Sequence, residues 1–261
     1  MPSLAPAVHL TGVLAALEVI ERELAEVSLE APVPTCPGWS VRQLLAHLGT
    51  AHRWALSVLA PDPSTPFDPT AAEAEGLGLP GSAELSGWLR SGVERLVSTI
   101  EAAPTDLEAL VFLKEAGPPR DFWARRQCHE STIHAIDVIA ARTGAPVSAD
   151  EVTVSDALAL DGVDELLVGF WQRGRSSPHT ASRERTLVSA ADRAWLLHSS
   201  EEPLRVHSFR LKDPEAAYEV DAVISGDPVD LYLAVWNRGG QVLDSAGRLQ
   251  AWHDAAAIRW A

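Results

Sequence analysis

Apolar residues recur at helical spacing over residues 8–30, at Val8, Leu10, Val13, Leu14, Leu17, Val19, Ile20 and Leu24. The run meets Pro32 and Pro34, which cannot continue a helix. A second helix is predicted from about 41 to 60, because Ser40 is a good N-cap and Gln43 completes a capping box. Residues 61–81, PDPSTPFDPTAAEAEGLGLPG, are rich in Pro and Gly and read as a long loop. A loop of that length is uncommon in a compact domain and often lies near a site. A third helix should cover about 82–103, capped by Ser82 and stopped near Pro104. A fourth runs from about 121 to 143, with Asp121 at its start and Gly144 and Pro146 at its end. A fifth is expected from about 150 to 172.

The pattern changes after residue 180. RTLVSAADRAWLLHS, LRVHSFRL and YEVDAVISG hold β-favourable stretches separated by turn residues. Asp227 and Pro228 then open a helix, DPVDLYLAVWNR, with Asp as N-cap and Pro at the first helical position. The chain therefore reads as α+β: an all-helical domain over residues 1–175 and a smaller α+β domain over 183–261. RGRSSPHTASRER, residues 173–185, serves as the linker, and no internal repeat is evident.

Composition narrows the function classes. With 261 residues, 46% of them hydrophobic, the chain can bury a large core. A net charge of −15 opposes a nucleic-acid partner and docking on anionic lipid, both of which need clustered positive charge. Two cysteines, Cys36 and Cys128, make no disulfide framework. Neither a membrane span nor a signal peptide is recognisable, so a cytoplasmic location is expected.

Three residues carry candidate chemistry. Glu130 and His134 lie four apart, and a helix advances roughly 100° per residue, so both share one face. His47 lies on the second helix and would have to come from across a bundle. Together they offer two imidazoles and a carboxylate, the donor set of an open divalent-metal site. Asp137, three residues past His134, can orient an imidazole. Ile133 and Ile136 flank His134, so this helix is substantially buried. A buried Glu and His need partners, which a metal or a plain Glu–His hydrogen bond can supply. His129 should point about 100° away from Glu130. His52 should face elsewhere, and Cys36 and Cys128 read as structural.

PTCPGWSVRQLLAHLG, then H-E-x-x-x-H-x-x-D over residues 129–137, then YEVDAVISGDPVDLYLAVWNR, occur in the order found in a known family. The chain resembles the mycothiol-dependent maleylpyruvate isomerase family. The resemblance implies a DinB-like four-helix bundle followed by a smaller, sterol-carrier-like α+β domain. It implies a divalent metal, usually zinc, on His47, Glu130 and His134. It also implies mycothiol as cosubstrate, its thiolate attacking a small electrophile in cis–trans isomerisation or S-transfer. Arg238 falls where the family motif carries arginine. It can bind a substrate carboxylate through a bidentate pair or complement a helix C-terminus. Because the family is functionally mixed, a non-catalytic small-molecule binder and a metal-dependent hydrolase remain as alternatives.

Overall fold

The computed structural model describes residues 4–113, 116–173, 183–200, 203–212 and 218–255. The described residues divide into two compact units, one of residues 4–112 and 116–146, the other of residue 113 with the described residues from 147 to 255. Among the described residues no helix is long and apolar enough to cross a membrane.

The first unit is helical: α1 (Pro6–Glu23), α2 (Val41–Leu59), α3 (Pro69–Leu77), α4 (Ser82–Ala102) and α5 (Pro119–Thr143). α1, α2, α4 and α5 form the four-helix bundle, in which α1 packs on α5 and α2 on both α4 and α5. The predicted first helix extends to residue 30, but α1 stops at Glu23. The following stretch has better partners elsewhere. Ser28 Oγ accepts the Glu30 N–H, while the carbonyls of Leu29 and Ala31 accept the Arg42 and Val41 N–H groups at 2.8 and 3.0 Å.

The capping box at α2 forms as expected. Ser40 Oγ accepts the Gln43 N–H at 3.4 Å and Gln43 Oε1 accepts the Ser40 N–H at 2.9 Å. The predicted loop at 61–81 contains α3, packed on α2. Asp68 caps it, accepting from the Thr70 and Ala71 N–H groups, and Pro69 opens it. This is the same Asp-Pro signal that marks residues 227 and 228. At α4, Gly81 occupies the N-cap and Ser82 is the first helical residue; at α5, Pro118 is the N-cap and Asp121 sits in the first turn. Gly144 ends α5 in the left-handed conformation, φ 75°, as the sequence suggests.

The second unit begins with a short 3-10 turn at Ala149–Glu151 and α6 (Asp156–Asp164), which runs on through a π-helical turn and a 3-10 turn to Arg173. The single helix expected over 150–172 is thus broken at 152–155. Val152, Thr153 and Val154 favour extended backbone, and Ser155 caps the restart by accepting the Leu158 N–H. The sequence reading places residues up to 175 in the helical domain. In the structure α6 packs on α7 (Pro228–Val235) within the second unit. Asp164 accepts the Trp195 indole N–H at 2.9 Å, and Gly162 O accepts that of Trp236 at 3.1 Å. Most of the expected linker, residues 174–182, lies outside the described residues.

Among the described residues the sheet has five strands, β1 (Glu184–Ala190), β2 (Arg193–Ser199), β3 (Arg205–Arg210), β4 (Ala222–Ser225) and β5 (Leu243–Asp244), in the order β3-β2-β1-β4-β5. β1 is antiparallel to β2 and parallel to β4. A short helix, α8 (Arg248–Ala255), follows, and Trp252 meets Trp171 edge-on at 5.1 Å.

The packing of α2 on α4 depends on Gly49. A Cβ there would lie 1.9 Å from the Trp88 ring. Arg53 closes the contact from the next turn, its guanidinium 3.5 Å from the Trp88 ring centroid and hydrogen-bonded to the carbonyls of Gly49 and Trp88. Gly49→Ala should therefore force the helices apart and lower unfolding stability by about 2 kcal/mol, an overpacking cost readable by denaturant titration.

Candidate metal centre

α5 is buried on nearly every side: from Phe122 to Ala140 only Arg125 escapes full burial. Yet it carries Arg126, Gln127, His129, Glu130, Ser131, Thr132, His134 and Asp137 into the interior. Groups of this kind need partners once water is removed, and their partners build the site.

Glu130 is central. Its Oε2 accepts from Arg126 Nη2 at 3.0 Å, one helical turn earlier. Its Oε1 lies 3.4 Å from His134 Nε2 on the same helix and 3.4 Å from His47 Nε2 on α2. The three ligand atoms, one from each residue, all lie within 4.8 Å of one another. The two imidazoles meet edge-on, with centroids 5.5 Å apart and planes at 88°. His47 keeps 15% of its side chain exposed, so the site borders solvent on that side. Oε1 is buried, and no described residue makes a well-formed hydrogen bond to it.

A second layer of contacts fixes His134. Its Nδ1 faces Asp137 Oδ2 at 2.9 Å, which leaves Nε2 turned toward Glu130. Asp137, fully buried, accepts in turn from Thr35 Oγ1 at 2.5 Å and from Cys36 Sγ at 3.4 Å. Those residues sit in a tight loop before α2, where Val33 and Trp39 pair through Val33 N–H and Trp39 O and Gly38 adopts φ 88°. The same loop sets Trp39 edge-on to His47 at 5.0 Å.

The electrostatics follow from this packing. Burial pushes the Glu130 carboxyl up, but the imidazoles of His134 and His47 and the Arg126 charge outweigh it and hold the group well below the usual carboxylate range. Burial pushes His134 down, while Asp137 and Glu130 draw it up, to about 9. His52, also fully buried, lies outside the constellation and bonds Ser131 Oγ at 3.0 Å. Burial lowers it from 6.5 to about 3, against the pull of Glu130.

The structure thus brings together His47, Glu130 and His134, with Asp137 behind them. His129 points elsewhere, edge-on to His9 at 6.1 Å. Arg238 belongs to the second unit. It lies past the end of α7, and its Nη1 donates to the Trp236 carbonyl at the helix C-cap, 2.7 Å away. It is followed by Gly239 and Gly240, at φ 129° and 81°, where a Cβ would press to 2.0 Å from Val147 O and 2.3 Å from Asp230 O. Arg126 and Thr35 are parts of the site that sequence reasoning missed, while Cys36, read as structural, supports Asp137. For Arg126 a signal existed in its spacing of four from Glu130.

Two imidazoles and a carboxylate match the donors that zinc and similar divalent ions take, with binding of the ion displacing the extra proton from His134. A histidine held through Nδ1 by a carboxylate is the usual support for a metal-bound Nε2. The residues present fit a metal ion.

Two measurements test the internal balance. Arg126→Leu leaves the Glu130 carboxylate buried without its cation, so the metal-stripped protein should lose about 3 kcal/mol in denaturant unfolding. Adding Glu130→Gln should restore part of that loss. For His52, the unfolded chain takes up a proton between pH 6.5 and about 3 that the folded chain does not. Stability should therefore fall as pH drops through that window, and His52→Gln should flatten the decline in a pH series of melts.

Comparison with known proteins gives concordant results. The family model of the mycothiol maleylpyruvate isomerase N-terminal domain matches residues 11–139, and that of the MDMPI C-terminal domain matches residues 157–256. Two solved structures share the fold over 95% of this chain and 97% of theirs. One is a mycothiol-dependent maleylpyruvate isomerase, at 18% identity and a TM-score of 0.58. The other is a histidine-to-alanine mutant of the mycothiol-dependent maleylpyruvate isomerase, at 19% identity and a TM-score of 0.60. No curated protein matches significantly.

Proposed function

Because the chain belongs to the mycothiol maleylpyruvate isomerase family, we propose that it is a metal-dependent enzyme that uses mycothiol to isomerise or conjugate a small electrophile bearing a cis double bond. The observation that carries this reading is the convergence of His47 Nε2, Glu130 Oε1 and His134 Nε2 within 4.8 Å. These three residues would hold the metal, zinc being the ion that the family resemblance implies. A divalent ion held there supplies positive charge that favours the thiolate form of a thiol, the form that acts as nucleophile.

The chain's own residues prepare that site. Arg126 occupies Glu130 Oε2 and so reserves Oε1 for the ion. Asp137 fixes the His134 ring and its tautomer, and Thr35 fixes Asp137. Burial of Glu130 and His134 excludes bulk water, so charges there act at greater strength than in solvent. In an isomerase cycle the thiolate sulfur adds to one carbon of the double bond, and the π pair moves onto the conjugated carbonyl of the electrophile as an enolate. The former double bond then rotates as a single bond, and the thiolate leaves as the trans double bond re-forms. In a transferase the adduct is protonated and released. We assign Arg238 the role of pairing with a substrate carboxylate, as its place in the family motif implies.

The test is metal analysis of purified protein combined with a maleylpyruvate isomerisation assay. One metal per chain and turnover that requires mycothiol are expected, and His47→Ala should lose both. Asp137→Asn should weaken metal affinity by about 10- to 100-fold in chelator competition. Turnover of Arg238→Met should fall mainly through a raised KM. Protein with no metal and no thiol-dependent turnover contradicts the reading, and ester or amide cleavage without thiol would point to a hydrolase.

A further inference from the structure

One polar side chain on the buried face of α5 has no part in the metal centre. Gln127 is 2% exposed, and its Oε1 is buried with no hydrogen-bond partner among the described residues. A carbonyl left in that state costs a fold stability, and native interiors seldom keep one. Methionine would fill the same space on a helix without that cost.

Two contacts between α2 and α5 place Gln127. At one level His47 meets Glu130 and His134. At the other, Trp54 meets Trp123 edge-on, with ring centroids 5.1 Å apart. The later position on α2 thus meets the earlier one on α5, so the helices run in opposite directions. The two levels bracket Ala51 on α2 and Gln127 on α5. A helix turns about 100° per residue, so Gln127 leaves α5 within about 60° of Glu130, His134 and Trp123 alike. All four share the face turned toward α2. On α2, His47, Ala51 and Trp54 follow one another at spacings of four and three, and each is half-buried. They form a stripe that borders solvent, with the small Ala51 in its middle. Phe112 extends the aromatic wall, stacked on Trp54 at 5.7 Å and edge-on to Trp123 at 5.8 Å.

This stretch differs in chemistry from the metal centre beside it. Ala51, Trp54, Phe112 and Trp123 carry no charge, and Gln127 Oε1 offers an acceptor. A carbonyl oxygen among apolar rings repels a carboxylate and accepts from an N–H or O–H, so it suits the neutral body of a thiol rather than an acidic electrophile. With the thiol sulfur at the metal centre, the reading on which this rests, we propose that Gln127 determines which thiol the site takes. Its Oε1 accepts a hydrogen bond from an N–H or O–H donor of the thiol, about one helical turn from the metal ligands, while the Trp54, Phe112 and Trp123 rings cover the thiol's apolar stem. The amide is a cost to the free protein and a source of affinity for one class of ligand.

The sulfur-to-cobalt charge-transfer band of the cobalt(II)-loaded full chain reads thiol affinity. The probes are mycothiol and propanethiol, which has no N–H or O–H donor. In Gln127→Met, mycothiol affinity should fall about three- to tenfold, while propanethiol affinity stays within about twofold of wild type. The cobalt bands before thiol is added should be unchanged. The melting midpoint of the metal-free variant should equal or exceed that of wild type, because a buried unpaired carbonyl has been removed. Wild-type protein with no charge-transfer band from either thiol would overturn the thiol reading of the metal centre, and the role of Gln127 with it. Where wild type does show the band, three results each overturn the role of Gln127 alone: undiminished mycothiol affinity in the variant, an equal loss for both thiols, or a lowered metal-free midpoint.

Discussion

Glu130 holds a negative charge inside a bundle that shields it from water, and the cost of that charge shapes its surroundings. Removing a carboxylate from water costs several kcal/mol even after the protein relaxes. Arg126 answers one oxygen and the two imidazoles flank the other. Those imidazoles need support in turn. Asp137 supplies it to His134, and Thr35 and Cys36 supply it to Asp137. The requirement for partners thus propagates from one carboxylate on α5 to the loop that leads into α2.

This propagation explains why α5 lacks the one-sided apolar stripe of an ordinary bundle helix. It is buried nearly all round, and its polar residues are the interior of a site rather than a solvated face. It also links structure to chemistry. The imidazoles that flank the buried carboxylate are also groups a divalent cation takes as ligands, so the proposed ion needs little rearrangement of the bundle. Gly49 and Trp88 keep α2 close to α4, two residues from His47.

The sequence revealed the local parts of this arrangement better than the distant ones. Glu130 and His134 were legible as a pair because helical geometry places positions four apart on one face. His47 was legible only through the order of three motifs, since nothing local says which helices face one another. Thr35 and Cys36 act across about a hundred residues of sequence, and no periodicity reports such a contact. In the fold, caps were read well where a side chain closes them, as at Ser40. They were misread where glycine or proline takes the position, as at Gly81 and Pro118. α3 went unseen because its surroundings are rich in Pro and Gly, although Asp68 and Pro69 announce it. The break before α6 was missed because apolar spacing on either side of Val152–Val154 can be joined into one helical run.

The central claim is that His47, Glu130 and His134 form one metal site that receives a thiol. Visible absorption of the metal-stripped protein during titration with cobalt(II) examines it most directly. The account predicts saturation at one equivalent, with bands of a low-symmetry nitrogen and oxygen site, and a new sulfur-to-cobalt charge-transfer band when mycothiol is added. A spectrum that remains that of aqueous cobalt, or cobalt bands that mycothiol leaves unchanged, would contradict it.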